Sequence, residues 1–429
     1  MKLWDKGEAI DTVVERFTVG DDRKLDLKLA RYDALGSLAH AEMLAEVELL
    51  SKDELEDLQR GLGEIIAEIE SGTFVIEDGH EDVHSKIEEY LTSRIGEAGK
   101  KIHTARSRND QVLLDLHLYA REELGEIRAL VHDLFERLMN LSDQYADALM
   151  PGYTHMQIAM PSSFGLWFGA YGEALIDDLV MLNAALRIAD QNPLGSAAGY
   201  GSSFPIDRTS TTELLLFRTL RYNAMGAGMS RGKLEWTLAS AMASIAATLG
   251  RFAMDVVLYA GGNFGFVKLP DAFTTGSSIM PHKKNPDIFE LIRARCNEIR
   301  ALPNRIAMIT TNLPGGYHRD YQILKEVLFP DVENLKDCLS LAEYALGNIE
   351  INTDWQKESK YDHLYTVEEV NRLVTDGMPF REAYRMVGEM LKDGSYSPEH
   401  KTSHTHEGSI GNLCNREIRE KFAEEYVRK

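Results

Sequence analysis

Apolar residues recur at intervals of three and four along most of this chain. Between residues 24 and 71, Leu25, Leu29, Leu35, Leu38, Leu44, Leu49 and Leu50 fall near that spacing with charged residues between them, the pattern of amphipathic helices in a small domain. A longer stripe, over 109–150, passes through Val112, Leu116, Leu124, Ile127, Val131, Leu134 and Leu138 without meeting a proline. As one helix rising about 1.5 Å per residue it would be roughly 60 Å long. The same periodicity predicts long helices over 163–190, 231–260, 286–312 and 322–349, while the period-two alternation of strands is scarce. The expectation is an all-α protein. Helices of this length far exceed the mean of about 11–12 residues and point to a bundle that oligomerises.

Residues 229–262 are rich in Ala, Met, Leu and Gly, so this helix should be buried on most sides, at the bundle centre. Interruption by Ser240 and Ser244, with Glu235 and Arg251 alongside, keeps its apolar run short of a membrane span. Beyond Asn352 the helices shorten, punctuated by Gly377, Pro379, Gly394 and Pro398, and a charged helix starts at Asn415. A chain of 429 residues outgrows a single core, which saturates at roughly 250–300. Three domains are expected: 1–104, a helical bundle over 105–351, and a small helical domain over 352–429.

Charge narrows the partners. Forty-seven basic against 68 acidic side chains leave a net −21, which argues against nucleic acid. A small anion can still be bound where a few cations and backbone N–H groups share one cleft. Three scattered cysteines, Cys296, Cys338 and Cys414, suit a reducing cytoplasm. Residues 1–10 are too charged for a secretory signal.

The strongest local feature is the loop Gly276-Ser277-Ser278-Ile279-Met280-Pro281-His282-Lys283-Lys284-Asn285-Pro286-Asp287, which opens onto a helix. Asn285 can cap that helix with Pro286 in its first turn, and Thr274, Thr275 and Gly276 let the loop close. Free N–H groups beside two lysines make a site for carboxylate or phosphate oxygens; the plainer alternative is a capped loop with solvated lysines. Over 103–111, His-Thr-Ala-Arg-Ser-Arg-Asn-Asp-Gln is dense in fork donors and amides that suit carboxylates, although a charged helix start capped by Asn109 or Asp110 explains it as well. His80-Glu81-Asp82-Val83-His84 formally matches a zinc-peptidase pattern, but Asp78-Gly79 before it favours a turn over a helix through both histidines. His400, His404 and His406 beside Cys414 fit no zinc spacing and read as a solvated tail.

Residues 276–285 resemble the Gly-Ser-Ser-x-Met-Pro-x-Lys-x-Asn signature of the fumarase/aspartase superfamily. Residues 103–111, Gly152-Tyr153-Thr154-His155-Met156-Gln157 and Asn192-Pro193-Leu194-Gly195 resemble blocks typical of its argininosuccinate lyases. The resemblance extends over about residues 1–350. It implies a three-domain fold around a long-helix bundle, a tetramer whose active sites are each built from three subunits, and β-elimination of a small-molecule substrate with no metal or organic cofactor. It implies Ser277 as base and His155 as acid, roles that chemistry alone could reverse. Lys283 and Asn285 would hold carboxylates, Glu290 would orient His155, and Thr18, Ser107, Arg108, Asn109, Thr154, Tyr317, Gln322 and Lys325 would bind substrate. His84, in a Glu-Asp-x-His block, would lie near the substrate. Thr18 replaces a usual serine, Asp21 an aromatic residue and His282 a common glutamine, and the C-terminal domain lacks the usual ending. Sister lyases acting on adenylosuccinate, aspartate or fumarate, and inactive lens crystallins, are the alternatives; the 103–111 block argues against the former and retention of Thr154, His155, Ser277, Lys283 and Asn285 against the latter.

Overall fold

A computed structural model describes residues 12–428; the charged segment 1–10 lies outside the described residues. The five long helices are Arg108–Gln144, Phe164–Ala189, Lys233–Ala260, Asp287–Ile309 and Ile323–Leu346. The fourth and fifth run through Pro303 and Pro330, so continuous apolar stripes outweigh the usual stop signal. The first ends earlier than its stripe. After Gln144 the chain turns into the strand Leu149–Thr154, which pairs antiparallel with Gln157–Ser163. Among the described residues strands are otherwise confined to two-residue pairs, and the fold is all-α as expected.

By packing, the chain falls into two compact units, and each long helix has residues in both. The first unit comprises the chain up to Ile127 with Met181–Ala243 and Ile299–Leu335. Its N-terminal part folds as Thr12–Val19, Asp22–Asp26, Ala30–Glu46, Lys52–Glu70, Val83–Ile95 and Glu97–Lys101. Ser51 and Glu54 form a reciprocal capping box at the start of Lys52–Glu70. Leu44, Leu50, Leu58, Leu62, Ile65 and Leu91 build the core beneath. Gly36 is needed there because a Cβ would stand 2.6 Å from Leu114 Cδ2.

The second unit comprises Arg128–Val180, Ser244–Glu298 and the chain from Lys336. Trp167 and Tyr171 both donate to Asp255, at 3.0 and 2.8 Å, which satisfies the polar tips of two packed aromatic rings. The final helix, Asn415–Val427, stacks Phe422 on Phe135. His400 and His404, expected in a solvated tail, instead bond Asp362 and Glu368 at 2.8 and 2.9 Å and fasten their segment to the helical part before it. Helix Lys233–Ala260 reaches bilayer length and hydropathy after all, because its two serines are too few to break the run; half of its most apolar window is buried within the structure, as in a core helix.

Candidate functional site

The first unit contains a cavity of about 460 Å³. One wall is the segment that enters the first long helix. Ser107 Oγ accepts the Asn109 N–H at 3.2 Å and Asp110 accepts the Ser107 N–H at 2.9 Å, so the serine caps the helix and the aspartate closes the box. The other oxygen of Asp110 accepts from Gly195 and Ala197, a loop that Gly195 permits with φ of +82°. Capping and display of donors are thus compatible: Ser107, Arg108 and Asn109 all line the cavity. Arg108 is tethered to Asp82 and to Ser85, both at 2.9 Å. Among the described residues no side-chain hydrogen bond engages the Asn109 amide.

A later segment adds Tyr317, Arg319, Gln322 and Lys325 to the lining. Lys325 is buried, with its ammonium 2.8 Å from Asp22 and 2.5 Å from Asp26. Burial presses its pKa down, but the two carboxylates outweigh burial and hold it above the usual lysine value. Burial raises Asp22 to about 6, Lys325 offsetting part of the effect and Asp26 adding to it. Because the folded value is raised, the proton on Asp22 stabilises the fold below its usual value of 3.8, and that contribution is lost as pH rises through about 6. Asp22→Asn is therefore expected to flatten the dependence of stability on pH between those values, checked by urea unfolding across that range.

Thr18, expected to bind substrate, does not line the cavity. Its hydroxyl donates to Val14 and Glu15 carbonyls of its own helix, while its own carbonyl accepts from Gln322 and Arg319 at 2.8 and 2.9 Å. Sequence reasoning missed Arg231, Arg319, Asp22 and Asp26 in the cavity lining. Buried Arg231 bonds Glu235 one helical turn on, at 2.7 Å, and that spacing was the available signal. The zinc-like pattern separates as expected of a turn. The helix begins only at Val83, and His80 faces Glu77 and Glu89 whereas His84 faces Asp33 and Asp115.

The second unit carries the other expected residues on two exposed features. Thr154 and Gln157 pair across a two-residue turn in which His155 and Met156 have φ of 53° and 59°, the geometry of a type I′ hairpin. That turn favours Asn and Gly, so a histidine held there is a strained choice that points to use. The second feature is the signature loop, closed at its base by a two-way backbone bridge between Thr275 and Asn285. Asn285 is not the helix cap: its amide turns back to Thr275 and Gly276, and the helix starts at Asp287. Lys284 pairs with Asp271, leaving Lys283 exposed without that tether. Ser277 Oγ accepts the N–H groups of Ile279 and Met280 at 3.3 and 3.2 Å. Glu290 is exposed in the first turn of the following helix, and among the described residues no hydrogen bond joins it to His155.

The Lyase family model matches residues 6–301. An argininosuccinate lyase of Bacteroides thetaiotaomicron is 56% identical over 417 residues, 97% of this chain and 94% of that one. This chain belongs to the argininosuccinate lyase family. Membership holds at greater distance: the argininosuccinate lyase of Thermotoga neapolitana is 40% identical over 90% of this chain and 98% of its own length. Among solved structures, an EDDS lyase variant with bound fumarate superposes with a TM-score of 0.78 at 20% identity, covering 98% of this chain and 91% of its own. A class II fumarase from Schistosoma mansoni reaches 0.75 at 18% identity, covering 89% and 88%. Those two establish the fold that the argininosuccinate lyase family shares with other lyases.

Proposed function

We propose that this protein is an argininosuccinate lyase, cleaving argininosuccinate to L-arginine and fumarate in arginine biosynthesis. The reaction removes a proton from the carbon beside a succinyl carboxylate. The electron pair left there forms the fumarate double bond as the C–N bond breaks, and the guanidino nitrogen leaves with a proton. Negative charge accumulates on the carboxylate next to the deprotonated carbon, so donors fixed before the reaction are the central requirement. The observation that carries the reading is the Ser277 oxygen with two backbone N–H groups aimed at it: they stabilise the alkoxide that a serine base must form.

In this reading Ser277 takes the proton, His155 protonates the leaving nitrogen, Lys283 and Asn285 hold carboxylates, and Glu290 orients His155. Thr154 assists beside His155. Ser107, Arg108, Asn109, Tyr317, Gln322 and Lys325 receive substrate, the last three at its arginine-bearing end, with Thr18 contributing at that end through its backbone. The protein works as a cytoplasmic homotetramer, within the three-part organisation 1–104, 105–351 and 352–429, and each active site draws residues from several copies. Exposed apolar side chains along the long helices, among them Met181, Trp236, Leu291, Met308 and Tyr344, support such association.

The deciding measurement is fumarate formation, followed by ultraviolet absorbance, from argininosuccinate, adenylosuccinate or aspartate given separately, with and without chelator. Fumarate from argininosuccinate alone, undiminished by chelator, is expected. Fumarate from another substrate alone would keep the chemistry and replace the leaving group, and chelator sensitivity would remove the cofactor-free mechanism.

A further inference from the structure

Behind the cavity wall sits a buried group of charges that the elimination as derived does not use. His84, the second residue of its helix, is among the residues lining the cavity, and its Nδ1 stands 3.2 Å from Asp33 Oδ1 and 3.8 Å from Asp115 Oδ2. Both aspartates are 0% exposed. Gln111 donates to Asp33 at 2.6 Å, but among the described residues neither oxygen of Asp115 has a hydrogen-bond partner, nor does His84 Nδ1. The other charged groups acting on the ring or its partners include Asp82 at the cap of the same helix, Asp26 beside Asp115, Arg106, Arg108 and His103.

We propose that Asp33 and Asp115 keep His84 as an imidazolium whose second N–H, at Nε2, donates into the cavity to a carboxylate of the dicarboxylate half of the substrate. A carboxylate wholly out of water requires compensating positive charge, and the nitrogen that faces both aspartates is Nδ1. His84 and the half-buried Arg106 both act to lower the pKa values of Asp33 and Asp115. Burial presses the imidazole down, yet Asp33, Asp82 and Asp115 outweigh it and hold His84 up at about 9. Against its own burial, Asp33 is held low by that charge, while burial and Asp33 push Asp115 well up. An imidazolium has two donors and no acceptor. His84 therefore binds an anion and cannot take the substrate proton, which leaves that role to Ser277 or His155. Asp33 and Asp115 are positioning residues that act through it. The assignment rests on the lyase reading for the identity of its ligand. Because the three ligand atoms also lie within 4.8 Å of one another, a divalent cation is the rival occupant.

The test is calorimetric titration of fumarate, and separately of arginine, into the full-length protein with chelator present, from about pH 6 to 10. Fumarate affinity should hold to about pH 8 and fall through a midpoint near 9, as the imidazolium loses its proton. His84→Gln should weaken fumarate by about tenfold or more at neutral pH, the scale of a charge-assisted hydrogen bond, and leave arginine unchanged. Asp33→Asn should move the alkaline fall down by about one pH unit or more while sparing affinity at the acid end. The proposal is overturned by fumarate affinity independent of pH, by His84→Gln binding fumarate like the unmodified protein, or by Asp33→Asn losing affinity equally at every pH. Stoichiometric zinc that survives dialysis and disappears in His84→Gln would also overturn it in favour of the cation. The titration of the unmodified protein decides even if a variant fails to fold. Turnover measured alongside separates the two claims: fumarate binding at the expected pH without argininosuccinate cleavage sinks the lyase reading and leaves His84 standing, whereas cleavage without the pH-dependent binding does the reverse.

Discussion

Ser277→Ala is expected to lower kcat for argininosuccinate cleavage by about a thousandfold or more with the oligomer intact, the loss typical of removing a group that acts as a unit with its neighbours. Ser277 is half-buried and its oxygen is engaged only through the loop's own N–H groups among the hydrogen bonds of the described residues, so the substitution removes an oxygen and little else. What disappears is the acceptor of the Ile279 and Met280 N–H groups and the base they sustain. Substrate affinity should change far less than kcat, because the cavity lined by Asn109, Tyr317 and Lys325 is untouched. Single-turnover measurement at saturating substrate, with sedimentation to confirm assembly, checks the result. Near-normal turnover would remove Ser277 from the mechanism and return the base to His155, whose strained position at the hairpin tip already marks it for use.

Helix periodicity made the five long helices legible to within a few residues at most ends, because each buries a continuous stripe over many turns. The hairpin 149–163 was not legible. Its strands are short and its first contains Pro151, and only the positive φ at His155 and Met156 reveals how tightly it turns. The loop 276–285 was legible as an anion site from its small residues and lysines, but its closure by a Thr275–Asn285 bridge was not. Asn285 reads locally as a cap, and only the contact with the other end of the loop redirects its amide. Asp33 and Asp115 were invisible as partners of His84 for the same reason. They lie 51 and 31 positions away in sequence (84 − 33 and 115 − 84), on helices whose packing alone brings them together.

Lys325→Met is expected to cost about 3–5 kcal/mol of stability near pH 8, the range for breaking a buried ion pair from one side. Methionine fills most of the space, so the loss is electrostatic: Asp22 and Asp26 remain buried beside each other with no ammonium between them. The cost should shrink on acidification. Asp22 already carries a raised pKa of about 6 with Lys325 present, and without the lysine it rises further, so lowering the pH through that region neutralises one of the two stranded charges. Thermal unfolding at pH 8 and pH 5 measures the difference. Adding Asp26→Asn to Lys325→Met should recover about half of the loss near pH 8, since one uncompensated charge is then gone. A loss equal at both pH values, or unrelieved by the second substitution, would mean that Lys325 matters for its packed methylene stem rather than for its charge. Argininosuccinate affinity divides the roles further. Asp26→Asn alone keeps the ammonium and one partner and should leave substrate binding nearly intact, whereas Lys325→Met should weaken it even at pH 5, where the fold is least affected.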